Sequence, residues 1–170
     1  MKSIEQLLQG TDRRSIGNSN TVAKAIDSQP AFDELFELLF HKDRILVMRA
    51  ADAIEKVTLN SPNYLAPHKN ALIELSSKAS DIELKWHLAQ LLPRLSLERK
   101  EQNQVWKLLR TWAADSKESK IVRVNALQAL SDLCTAHPER IREFSALLTN
   151  ISHENIPSLN ARIRKFSKLL

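Results

Sequence analysis

The chain has 170 residues, with 25 basic and 20 acidic side chains, a formal charge of +5, two glycines, one tyrosine and one cysteine. That length suits one domain or one short stack of repeats. Two glycines leave little room for β-turns or phosphate-binding loops, and the single cysteine excludes an internal disulfide and fits a reducing compartment.

In chain order, Ser3-Ile4-Glu5-Gln6 has capping-box spacing and predicts a short helix to about Gln9, stopped by Gly10. Thr11 to Thr21 reads as a loop, with Arg13, Arg14, Ser15 and Gly17 a weak candidate anion loop. A second short helix is expected near Val22 to Asp27. The next helix starts near Pro30, since proline suits a helix start. Then comes a unit that is written three times. Asp43 to Val57 recurs 38 residues on as Asp81 to Leu95, and 38 further on as Ser119 to Leu133. Four apolar positions match each time: Ala50/Ala53/Ile54/Val57, Leu88/Leu91/Leu92/Leu95 and Ala126/Ala129/Leu130/Leu133. Steps of three, one and three put them on one helical face.

A lone helix cannot bury such a face, so neighbouring units must cover it. The stretch before each unit is also helical and apolar: Phe32, Leu35, Phe36 and Leu39; Leu65, Leu72, Ile73 and Leu75; Val105, Leu108, Leu109 and Trp112. Each repeat is therefore a hairpin of a first helix (A) and a second (B). Asp43, Asp81 and Ser119 stand where B-helix caps belong. Ser61-Pro62 and His137-Pro138 open the second and fourth A helices, the fourth carrying Ile141, Phe144, Leu147, Leu148 and Ile151. Pro93, inside the second B helix, is expected to kink it. The last B helix, Pro157 to Leu170, is shifted in register, as a terminal cap would be.

The third unit, Val122-Arg123-Val124-Asn125-Ala126-Leu127-Gln128-Ala129-Leu130, resembles the B helix of a HEAT repeat, and Leu46-Val47 with Ala50-Ala51-Asp52-Ala53-Ile54 carries the same signature. From about Pro30 onward the chain is similar to small bacterial HEAT-repeat proteins. The resemblance implies an all-α fold, an α-α superhelix (HEAT-like α-solenoid) of about four hairpins with a short N-terminal helical cap. The expected division is 1–28 for the cap and about 29–60, 61–97, 98–135 and 136–170 for the repeats. Lys85 and Arg123 occupy the position of the characteristic HEAT arginine, which implies a structural ladder between repeats.

With Ala50 as the buried reference at about 100° per residue, positions 48, 49, 52, 55 and 56 should face outward. Read down the repeats, they form columns: Met48, Trp86 and Val124; Arg49, His87 and Asn125; Asp52, Gln90 and Gln128; Lys56, Arg94 and Asp132. In α-solenoids the B helices usually line a concave groove. The expected groove residues are thus Met48, Arg49, Asp52, Trp86, His87, Gln90, Arg94, Asn125 and Gln128. Trp86 and Arg94 are residue types enriched among interface hot spots.

The expected function is a non-enzymatic protein-binding or scaffolding module whose groove holds a protein partner or peptide segment. A nucleic-acid role is the alternative. The pI near 9.5 permits it, but Asp52, Glu55 and Asp132 interrupt the phosphate-tracking surface it needs. A component of a HEAT-like lyase is the third reading, with no catalytic motif to support it. No cofactor or metal is expected. The basic surplus falls in the last helix, where Arg162, Arg164, Lys165 and Lys168 form a possible anion site or simply favour the helix C-terminus. Cys134 has no Cys or His at ligand spacing and reads as a structural thiol. The first residues lack a signal-peptide core and no run reaches the ~20 apolar residues of a membrane span, so a cytoplasmic, non-membrane protein is expected.

Overall fold

A computed structural model of the protein describes residues 3–12 and 15–166. The secondary structure of the described residues is helical throughout. Ten α-helices follow in order: α1 (Ile4–Leu8), α2 (Ser19–Ala25), α3 (Gln29–Glu37), α4 (Arg44–Asn60), α5 (Lys69–Lys78), α6 (Ile82–Leu91), α7 (Arg99–Ala114), α8 (Lys120–Ala136), α9 (Ile141–Ser152) and α10 (Pro157–Phe166). They stack in two layers. The even-numbered helices form one, α2 on α4 on α6 on α8 on α10, and each odd-numbered helix from α3 to α9 packs on the even-numbered helix that follows it. The first two helices continue this order, with α2 against α4 as α4 lies against α6.

The repeated apolar pattern is the core. All twelve residues of the three matched sets are buried, none more than 8% exposed. Opposite them the odd-numbered layer buries Phe32, Leu35, Phe36, Leu72, Ile73, Val105, Leu109, Trp112, Phe144 and Leu148. Each Leu, Ile or Phe so buried contributes about 1.5–3 kcal/mol. The stack is held mainly by this seam, because helices this short, from five to seventeen residues, have little stability alone.

The caps differ in detail from what the repeat predicts. Asp43 Oδ1 accepts the Ile45 amide at 2.9 Å and Ser119 Oγ accepts the Val122 amide at 3.3 Å. Asp81 caps nothing; its carboxylate pairs with Arg44 Nε at 2.9 Å. Ser61 likewise makes no side-chain cap bond, and Pro62–His68 is a 3₁₀ segment leading into α5. Asp43→Ala is therefore expected to cost about 1 kcal/mol. Asp81→Ala should stay within about 0.5 kcal/mol, since it removes only an exposed ion pair. Urea unfolding of the two variants side by side checks this; equal losses would restore Asp81 as a cap.

Pro93 does not kink a continuous helix. The α-helix ends at Leu91, and Leu92–Arg94 form a 3₁₀ turn that absorbs the missing donor. So α6 has 10 residues where α4 and α8 have 17. Leu92 and Leu95 still reach the core.

Candidate functional site

The even-numbered layer carries the residues expected to line a groove, and most are engaged within the chain. Arg49 is 3% exposed. Its guanidinium lies in a cradle of backbone carbonyls: Nη1 donates to Leu8 O (2.8 Å) and Gln9 O (2.9 Å), Nη2 to Asp12 O (3.0 Å) and Nε to Ser15 O (2.9 Å). Both glycines of the chain border it. A Cβ on Gly10 would sit 2.5 Å from Arg49 Nη1, and one on Gly17, where φ is +55°, would sit 2.9 Å from Cζ. The loop read as a candidate anion site thus turns carbonyls inward onto a cation, the opposite polarity; Arg13 and Arg14 lie outside the described residues.

Asp52 and His87 are also buried, at 8% and 1% exposure. Asp52 Oδ2 accepts a short hydrogen bond from Ser19 Oγ on α2 and pairs with Lys56. His87 Nδ1 bonds Glu55 Oε2 at 2.8 Å, and Gln90 Nε2 donates to the same oxygen at 3.0 Å. Arg94 Nη1 donates to Glu55 O and Thr58 Oγ1, each at 2.6 Å. Burial lowers the Arg94 guanidinium from its ordinary value, opposed by the nearby Glu55 and Asp132 carboxylates; it stays a cation. Gln128 Nε2 donates to Asp132 at 2.8 Å, and Arg162 Nη1 donates to Gln128 Oε1 at 2.6 Å. Asn125 is half-buried and bonds Ile121 O on its own helix.

The outward orientation expected of Arg49, Asp52 and His87 is thus corrected. An inner helix of a layer is covered by its odd-numbered partner and flanked on both sides by even-numbered neighbours. Arg49, Asp52, His87 and Gln90 point into the joint with the preceding even-numbered helix or its loop. The resulting polar ladder is a joint between helices. A second row crosses the N-terminal ends of the helices. Arg44 pairs with Asp81 and Glu83, Lys85 with Glu118, and Arg123 with Glu154.

Beside these bonded groups lies a strip of apolar side chains that are only partly covered, with Trp86 and Val124 packed in part against the core. Met48, Trp86 and Val124 are half-buried, and Trp86 stacks on the His87 ring. One turn earlier stand Ile45, half-buried, and Ile82 and Ile121, each 46% exposed. The three isoleucines were not among the expected site residues; their spacing of three or four from Met48, Trp86 and Val124 was the signal that places them on the same faces. A cavity of about 270 Å³ lined by Arg44, Ile45, Met48 and Glu83 opens beside the strip. Among the described residues the other exposed large apolar side chains are Ile16 in the loop before α2, Phe40 after α3 and Leu59 at the far end of α4.

The basic last helix is not assembled as an anion cradle by the residues described. Arg162 is spent on Gln128, Arg164 has an interaction of its own, Lys165 is exposed, and Lys168 lies outside the described residues. Burial pushes the Cys134 thiol up to about 11, so little thiolate forms at neutral pH. Among the described residues, no helix is long and apolar enough to cross a membrane, and no His, Cys, Asp and Glu group is placed to hold a metal ion.

Compared with known proteins, the chain matches one family model, described as a HEAT repeat domain, over residues 4–169. No curated protein and no solved structure matches it.

Proposed function

Because the chain belongs to the HEAT-repeat family, whose repeats are generally protein-interaction or scaffold modules and typically non-catalytic, we propose that it binds a protein partner on the even-numbered face. The observation that carries this reading is the apolar strip of Ile45, Met48, Ile82, Trp86, Ile121 and Val124. It lies, partly covered, among polar groups many of which bond one another. A contiguous apolar patch rimmed by polar groups marks interaction surfaces, and stacking curvature makes the B face of a solenoid an extended site. In this reading residues 1–28 close one end of the stack and the pairs within 29–170 present the face. Trp86 is the anchor, with Met48 and Asn125 beside it, while Arg49, Asp52, His87, Gln90, Arg94 and Gln128 hold the helices in register. The protein works in the cytoplasm without a cofactor.

A photo-crosslinking side chain placed at position 82 or 121 should capture one discrete partner in cells of the source organism. The same group at Asn103, exposed on the odd-numbered face, should not. Equal capture from both faces, or none from 82 and 121, would sink the placement.

A further inference from the structure

Going beyond that reading, we infer that the joint between α8 and α10 is a small-molecule site for a neutral aromatic compound bearing one hydroxyl group. A cavity of about 320 Å³ lies there, at the opposite end of α8 from Ile121 and Val124. Ser131 and Cys134 of α8 line it, with Pro138, Ile141, Phe144 and Phe166. It exists because the last repeat is shifted. In the α4–α6 joint, Glu55 and Thr58 receive hydrogen bonds from His87, Gln90 and Arg94, whose side chains bridge the gap. Ser131 and Cys134 stand at the same two positions, two repeats on. With Leu159, Ile163 and Phe166 set on Leu88, Leu92 and Leu95, α10 carries Ser158 and Ala161 where α6 carries His87 and Gln90. Both are short and exposed, and Lys165, in the place of Arg94, is exposed too. The joint is left unfilled.

The lining selects the occupant. Ser131 is 7% exposed. Its backbone carbonyl accepts from Thr135 Oγ1 at 3.4 Å, but its own hydroxyl has no hydrogen-bond partner among the described residues. A buried hydroxyl left unpaired is destabilising. It can both donate and accept, so a ligand hydroxyl satisfies it. No charged side chain lines the cavity among the described residues. The charges nearest Cys134 are engaged elsewhere: Arg140 bonds Asn103 and lies over the Trp106 ring, Glu143 pairs with Arg110, and Glu139 faces His137. An ion in the cavity would therefore be unpaired, which is costly. The protonated Cys134 thiol adds a soft, weakly polar wall. The Phe144 and Phe166 rings stand 5.5 Å apart and tilted by 57°, so a third ring can meet a face or an edge. The volume is about twice the ~150 Å³ that holds benzene, which gives room for roughly a dozen non-hydrogen atoms.

The test uses the full chain with para-butylphenol, butylbenzene and para-butylbenzoate, each titrated by calorimetry. Cys134 is the sole cysteine, so its rate of alkylation by a maleimide reports on this cavity alone. The phenol should bind about fivefold tighter than butylbenzene, the worth of one hydrogen bond. At ten times its Kd it should slow the alkylation about tenfold. The benzoate should do neither. Ser131→Ala should erase the preference for the phenol while butylbenzene still binds. Ser131→Leu should fill the cavity and abolish the binding of both, with a melting temperature no lower than the parent's. If that variant fails to fold, the alanine comparison decides alone. No binding of the phenol, equal binding of the benzoate, a preference that survives Ser131→Ala, or alkylation that ignores the bound phenol would overturn the inference.

Discussion

Arg49→Ala is expected to detach the N-terminal element and to lower folding stability by about 3 kcal/mol. Four hydrogen bonds from a buried guanidinium are lost together, and hydrogen bonds to charged groups contribute about 1.5–3 kcal/mol each before the freed carbonyls regain water. Leu8 O is buried and cannot regain it without opening. The loss should be local first. Leu8 and Val22 would be uncovered, and protease sites between residues 3 and 25 should open while the helices from α4 onward stay protected. Arg49→Lys should recover only part of the loss, since an ammonium cannot reach four divergent carbonyls. Gly17→Ala should destabilise by about 1–2 kcal/mol, from a left-handed φ and a Cβ pressed against Cζ. Limited proteolysis with urea unfolding checks all three. An Arg49→Ala variant within about 0.5 kcal/mol of the parent would mean that water serves those carbonyls as well as the guanidinium does.

The second large effect is expected at the other end of the stack. Arg123 is 1% exposed; Nη1 and Nη2 donate to Glu154 Oε2 and Oε1 at 2.7 Å each, and Nε donates to Ala113 O at 2.9 Å. It ties the end of α7, the first turn of α8 and the turn between α9 and α10 into one joint. Arg123→Ala should cost about 4 kcal/mol, because it opens a cavity, orphans a buried carbonyl and frees the turn. Arg123→Met, which keeps the packing, should cost roughly half of that. Out of a total of about 5–15 kcal/mol for a protein of this kind, the alanine variant would be marginal.

The same pair sets an acid limit. The hydrogen bonds from Arg123 hold the Glu154 carboxyl below its ordinary 4.5. A carboxyl that is more acidic in the folded state stabilises fully above its unfolded value. That contribution is lost as pH falls through the lower folded value. The parent should therefore lose stability as pH falls below the ordinary 4.5 and on through the lower folded value. Glu154→Gln should be less stable at pH 7 and lose less over that range. Melting temperatures across the range decide it; identical pH profiles for parent and variant would rule the pair out as a contributor.

The polar positions show where sequence reading stops. The columns on the B helices were legible, because a period of 38 residues superposes Met48 on Trp86 on Val124. Their roles were not. Arg49 and Asn125 stand in one column, yet the first is enclosed by a loop and the second is half-buried on its own helix. Glu55 reads as one more charged residue, but it receives bonds from His87, Gln90 and Arg94 of the next repeat. Asp81 aligns with Asp43 as a cap, but Arg44 draws its carboxylate away. Lys85 and Arg123 were read from the family resemblance as ladder residues, and they do bond to the next turn along.

Steps of three, one and three among apolar residues settle which face of a helix is buried, because helical geometry is local and repeats every 3.6 residues. Three copies of that pattern, each with an apolar helix before it, settle that the chain is a stack of helical pairs. Only the packed structure decides which polar side chains remain available. That depends on partners 31 to 41 residues away, as Arg49 on Leu8, His87 on Glu55 and Arg123 on Glu154 show. Each bond forms across a joint whose geometry exists only after two repeats have docked. Ile82 and Ile121 are among the side chains those joints leave exposed.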